Sequence, residues 1–200
     1  MKPMQWSLSL AAALAVAGCA QMQQQPVFHA PGTTWVNAVR NTGSYGNVNA
    51  EQTIRAAGER MWQGRKVYVN ENQTTGISFI RDLGTGRAIG NARGDTPLSS
   101  FEPPIGWDRP LEVGKSWSRS HRFTNHANKT TTDFVGTWKV EAYEDITVRA
   151  GTFKAYKIVY SDNLGSEGVT WWNPEMDVWV KQTTRRSGKH RAGPGTNDIE

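Results

Sequence analysis

The stretch from 138 to 148 constrains this chain more than any other. Trp138, Val140, Ala142, Ile146 and Val148 occupy one set of alternate positions, Lys139, Glu141, Tyr143, Asp145 and Thr147 the other; only Glu144 breaks the pattern. A period of two predicts a half-buried antiparallel strand, whose successive side chains point to opposite faces. Ala150-Gly151 then predicts a tight reversal, because glycine reaches positive φ without a steric penalty. Tyr156, Ile158 and Tyr160 carry an apolar face back along the return strand.

The same signals recur along the chain. Strands are expected at 33–44, 49–61, 65–72, 76–81 and 87–93, and again at 116–126, 131–148, 152–161, 168–173 and 178–185, with glycine-bearing turns between them. The alanines of 51–61 invite a helix, but Gly58 and the flanking turns favour a strand. Pro97, Pro103-Pro104 and Pro110 cannot donate ladder hydrogen bonds and predict a Pro-rich connector over 95–114. Gly32-Thr33-Thr34-Trp35 and Gly114-Lys115-Ser116-Trp117 open two candidate halves, 33–94 and 115–187. Helical periodicity is absent. The expected fold is therefore all-β, a strongly curved antiparallel sheet of about ten strands closing into a barrel or half-barrel.

Both termini read as something other than this domain. Lys2, the short apolar run 8–16 and Val16-Ala17-Gly18-Cys19 resemble a bacterial lipoprotein signal, with 1–18 removed and Cys19 acylated. One acyl chain binds a membrane only marginally, so several chains on one cysteine are needed for a durable anchor. Ala20-Gln21 after the cysteine, with no aspartate, implies sorting to the outer membrane, with the domain facing the periplasm. Residues 19–32 are Gln-rich and carry Pro26 and Pro31, which predicts a flexible tether. Residues 188–200 are rich in glycine and, with Arg185 and Arg186 just before them, basic; they predict a flexible basic tail, either solvated or in contact with anionic head groups.

Cys19 is the only cysteine, so this chain has no internal disulfide and depends on burial for stability. Its net charge is +5, Lys2 being the only charge in 1–18. For an exported chain this disfavours nucleic acid and points, if to any partner, to anionic lipid, lipopolysaccharide or peptidoglycan.

The phrases Ala150-Gly151-Thr152-Phe153, Trp172-Asn173-Pro174-Glu175 and Val180-Lys181, with Leu111–Trp117 ahead of them, resemble a family of exported bacterial proteins and lipoproteins of unknown function. The resemblance covers roughly 111–182. Arg149 stands where the family usually has proline, which a hairpin edge absorbs. It implies an antiparallel β fold in the cell envelope and brings no catalytic residues.

No motif of chemistry is complete in this sequence. Gly114-Lys115-Ser116 resembles the end of a phosphate loop, but Arg109 holds the upstream glycine position and a strand follows. His121 and His126 have neither helical nor strand metal-ligand spacing, and no metal site or cofactor is expected. Glu175 and Asp177 have the look of an acid pair but sit beside Asn173-Pro174, as turn residues do. No Gly-x-Ser-x-Gly elbow exists. What remains is the wealth of tryptophan, nine in all. Trp171 shares a face with Val169 and is assigned to the core; Trp172 shares one with Thr170 and is assigned to the opposite face, as a candidate ligand contact. The expected role is non-enzymatic: an outer-membrane lipoprotein that binds or carries an apolar or amphiphilic envelope component, or scaffolds envelope assembly. The alternatives are a peptidoglycan or polysaccharide module using exposed tryptophans, and a hydrolase with an unrecognised site.

Overall fold

A computed structural model describes residues 25–200 of the chain. The signal segment 1–18 and the acylation of Cys19 fall outside the described residues.

Twelve strands run in a meander, each antiparallel to its sequence neighbours, and the last closes on the first. They are β1 Thr34–Gly43, β2 Val48–Trp62, β3 Arg65–Asn72, β4 Ile77–Asp82, β5 Ala88–Arg93, β6 Thr96–Ile105, β7 Ser116–Asn125, β8 Thr130–Val148, β9 Gly151–Asp162, β10 Ser166–Asn173, β11 Val178–Arg186 and β12 Gly195–Ile199. No described residue is helical. The architecture is thus a closed barrel, of twelve strands rather than about ten.

The two additional strands lie where the sequence argued against strand. The connector 95–114 contains β6, despite Pro97, Pro103 and Pro104. Its prolines are accommodated because β6 pairs with β7 only over Ser99–Glu102 and meets β5 through two register shifts. The tail 188–200 is not flexible throughout, because β12 fills the gap between β1 and β11 and hydrogen-bonds both. Closure leaves neither strand a free edge, which explains why so short and glycine-flanked a segment is ordered. The ring divides into six strands before the 106–115 loop and six after it.

Residues 25–32 also depart from the tether reading. Phe28 stacks on Tyr68 at 4.5 Å, and the Gly32 amide donates to the Ala56 carbonyl at 2.8 Å. Pro31 lies over Gly58, where an added Cβ would stand 2.8 Å from its Cγ. Gly58 has φ +87 and forms a bulge in β2, the backbone a β-branched residue would resist. The bulge re-aims the far end of β2, so that Trp62 joins Val67, Val69, Ile80 and Ala92 in an apolar cluster. β3 is therefore buried on both faces, with Tyr68 and Asn70 on the other side from Val67 and Val69.

β8 follows its alternation closely: Phe134, Gly136, Trp138 and Val140 are buried and every intervening residue is exposed. Trp138 and Val140 join Leu111, Ile158 and Trp172 in the second apolar cluster. The predicted hairpin is present, with Gly151 at φ +136 and Thr147 and Thr152 bonded through their hydroxyls at 2.9 Å.

Candidate functional site

The barrel is hollow. Its interior cavity has a volume of about 1320 Å³, above the roughly 300–1,000 Å³ of ordinary small-molecule sites. The two halves of the chain line it differently.

One wall is aromatic and comes from β6 to β9. Direct cross-strand partners on one face lie close enough for rings to touch, and the register puts Phe101 opposite Phe123 and Trp138 opposite Tyr160. Their ring centroids are 5.2 Å and 5.1 Å apart. Phe134 meets Phe101 edge-on at 6.5 Å and is stacked from the other side by His121 at 5.4 Å. Gly136 leaves room for this arrangement: a Cβ there would come within 2.4 Å of the Trp138 indole. His121 is buried, bonded through Nδ1 to the Pro103 carbonyl at 2.8 Å, and burial pushes its pKa down. It acts as a packed side chain holding the wall.

The facing wall carries neutral amides: Asn37 on β1, Gln52 on β2, Asn70 on β3, Asn91 on β5 and Gln182 on β11. Gln52 accepts from Asn72 at 2.7 Å, and Gln182 donates to Thr170 at 3.0 Å. Asn70 Oδ1 is buried without a hydrogen-bond partner. Such groups offer donors and acceptors but no charge.

At one end, the closed end, a buried charge cluster narrows the chamber, with Thr85 and Trp179 the exposed lining residues there. Asn173 holds the β10–β11 turn by accepting from the Met176 amide at 2.8 Å and donating to the Lys154 carbonyl at 3.0 Å. The turn carries Asp177 inward at φ +52, its side chain fully buried. Arg81 reaches one carboxylate oxygen at 2.7 Å and Arg109 pairs with the other. Arg109 also lies over Trp172, 5.7 Å from the ring centroid, and Trp107 meets Trp172 edge-on at 5.4 Å. Arg87 fixes the 106–115 loop by bonding Asp108 at 2.9 Å and the Trp107 carbonyl at 3.2 Å. From outside, Phe28 covers Arg81 at 5.1 Å. His29 is beside this cluster; burial, the larger influence, holds its pKa down against the pull of Asp177.

At the opposite end the lining residues Asn128, Asn163, Lys189, Arg191 and Ala192 are exposed, and the chamber opens to solvent. This mouth is bounded by the turns after β1, β7 and β9 and by the β11–β12 loop. Arg186 sits over the Tyr45 ring at 3.9 Å there and donates to the Ser44 carbonyl at 3.2 Å.

The residues singled out by sequence fall on both sides of this geometry. Trp172 lines the chamber, but as a buried residue at 4% exposure; Trp171 is the half-buried one and faces the other way. The face assignment of the pair was inverted because the interior is partly polar: Thr170, not Val169, marks the inside of β10. Trp171 donates its indole N–H to Glu144 at 2.9 Å, which accounts for the acidic break in the β8 pattern. Ala150, Gly151, Thr152 and Phe153 form the hairpin beyond the closed end and do not line the chamber. Pro174 and Glu175 belong to the closing turn, Glu175 exposed, and Lys181 pairs with Trp171 in the ladder. Of the described tryptophans only Trp179 is exposed. Asp177, read as a turn residue, proved to be the charge that closes the barrel; nothing local in the sequence pairs it with Arg81 and Arg109, which lie 96 and 68 residues away. Among the described residues no cluster of three or more His, Cys, Asp or Glu could hold a metal.

No protein-family model matches the chain, and no curated protein matches it. Solved structures do. A candidate lipoprotein from Parabacteroides distasonis aligns with TM-score 0.46 and 12% identity over 86% of this chain and 95% of its own. The hypothetical lipoprotein YmcC from Escherichia coli aligns with TM-score 0.46 and 8% identity over 83% and 82%. A candidate exported protein with a YmcC-like fold from Bacteroides fragilis aligns with TM-score 0.49 and 12% identity over 88% and 98%.

Proposed function

We propose that this chain is an envelope lipoprotein, anchored through Cys19 and sorted to the outer membrane, whose barrel binds an apolar or amphiphilic component without transforming it. One observation carries the binding role: an open-ended chamber of about 1320 Å³ with a continuous aromatic wall. A solid core would have closed this space, since protein interiors pack as densely as organic crystals. Aromatic rings against hydrocarbon, faced by neutral amides, suit a ligand with an apolar body and hydrogen-bonding carbonyl or hydroxyl groups.

The non-catalytic reading rests on the state of the buried acid. Asp177 is fully buried with each oxygen ion-paired to a guanidinium, so its charge is committed to holding the closed end. The chain enters the described domain at the closed end, where Phe28 packs beside Arg81. A short tether from Cys19 would therefore turn that end to the membrane and the mouth toward the periplasm. A platform of exposed tryptophans for polysaccharide has less to rest on, because among the described tryptophans only Trp179 is exposed.

The test is native mass spectrometry of the full chain extracted from its own membranes. Co-purifying lipid beyond the covalent anchor is expected. A mass equal to that of the acylated chain alone, with the barrel folded, would contradict the reading.

A further inference from the structure

We propose that the mouth of the barrel is an anion-recognising rim, which holds the carboxylate or phosphate head of an amphiphile while its hydrocarbon enters the chamber. This deepens the binding reading above and rests on it.

The pattern of ion pairing points to this division of labour. At the closed end the arginines have carboxylate partners: Arg81 and Arg109 share Asp177, and Arg87 holds Asp108. At the mouth Arg186, Lys189 and Arg191 all line the chamber, and none forms an ion pair with a described residue. Arg186 is oriented without being neutralised, lying over Tyr45 at 3.9 Å and donating to the Ser44 carbonyl at 3.2 Å and its hydroxyl at 3.4 Å. A guanidinium so held loses little freedom on meeting an anion and keeps its charge for it.

The acid that also lines this end, Asp162, forms no ion pair with these three cations. Asp162 accepts from the Tyr160 hydroxyl at 2.7 Å and from the Leu164 and Ser166 amides at 2.9 and 2.8 Å. These three bonds anchor it in its own turn. The loop bearing Lys189 and Arg191 is tied to that turn, because the Ser187 amide donates to the Gly165 carbonyl at 2.9 Å and the His190 amide to the Ser187 carbonyl at 3.1 Å. Three cations are thus placed around an opening whose interior is largely aromatic. Such a site separates head from tail, with charge at the entrance and hydrocarbon within.

The experiment titrates the full chain in neutral phosphatidylcholine nanodiscs, against empty nanodiscs, with three probes. Palmitate presents a carboxylate, lysophosphatidylglycerol a phosphate, and monopalmitoylglycerol a neutral head on the same tail. One or both acids should bind roughly tenfold more tightly than the neutral probe, with an advantage that shrinks as salt is added. The two acids distinguish a carboxylate from a phosphate ligand. The double variant Lys189→Gln/Arg191→Gln should remove most of that advantage while leaving affinity for the neutral probe unchanged, which also shows that the barrel is intact.

Equal binding of all three probes, unaltered in the double variant, would overturn the rim and leave the chamber reading standing. An acid preference that survives in the variant, and again when Arg186→Gln is added to it, would overturn it too, assigning the head to the arginines of the closed end. If the variant binds every probe normally but loses adhesion to anionic vesicles, the rim is a membrane-docking surface instead. Binding of no probe by the wild-type chain would sink the chamber reading itself.

Discussion

The two ends of the barrel use the same residue type in opposite ways. At the closed end Arg81 and Arg109 are nearly buried, at 12% and 9% side-chain exposure, and clamp an Asp177 that has none. At the mouth Arg186 and Arg191 line the opening without a carboxylate partner among the described residues. Burying a guanidinium is tolerated only when its charge is met and its hydrogen bonds are made. The closed end therefore spends its charges on structure. The mouth, wetted by solvent, can leave them unmatched, and unmatched charge beside an apolar chamber is free to act on a ligand.

The sharpest way to break this comparison is at Asp177. Asp177→Ala leaves two buried guanidinium groups facing each other, and losing one partner of a buried pair costs about 3–5 kcal/mol. A urea-unfolding midpoint within error of wild type would show that the closed end is not held by charge. Trp172→Ala follows closely, at about 3–5 kcal/mol for a buried indole, because it removes the surface on which Arg109 and Trp107 rest. Trp171→Ala should cost only about 1–2 kcal/mol, for a half-buried ring and one hydrogen bond to a carboxylate. A larger loss at Trp171 than at Trp172 would reverse the inside and outside of β10.

Acid should weaken the fold through its buried imidazoles. Burial lowers the folded-state pKa of both His29 and His121, so the unfolded chain takes up protons first. Their contribution is complete above the ordinary histidine pKa of about 6.5 and is lost as pH falls below it through the folded value. The urea midpoint should drop between pH 7 and pH 5, and His121→Gln should flatten part of that drop. An identical slope in the variant would remove His121 from the cause. The smallest effect is expected at the mouth, where Lys189→Gln/Arg191→Gln should change stability by no more than about 0.5 kcal/mol. A cost of several kcal/mol would mean that these cations are structural after all.

Much of the barrel was legible because its strands obey local rules. The β8 alternation, the Gly151 reversal and ten of the twelve strands follow from periodicity and turn residues. The other two, β6 and β12, are strands by virtue of their neighbours. Pro97 and Pro103 weaken β6 as a ladder, and β12 exists because two edges needed closing; neither circumstance is written in the segment itself. The site was half legible. Trp172 was singled out, but apolar and polar positions were equated with inside and outside, a rule that fails when the interior is a chamber with Thr170 and Asn70 in its wall. The Asp177 clamp joins residues far apart in sequence, and the basic run at 185–191 reads as a solvated terminus until β12 bends it around the mouth.

The interior as a binding chamber is tested most directly by quenching of the protein's own tryptophan emission with a fatty acid brominated along its chain. A bromine inside the barrel would lie against Trp138 and Trp172, whereas Trp62 belongs to the cluster on the other side of β3. Saturable, partial quenching is expected, with affinity reduced roughly tenfold in Thr132→Trp, which fills the cavity from β8. Quenching that never saturates, or that is the same in the filled variant, would contradict a ligand inside the barrel.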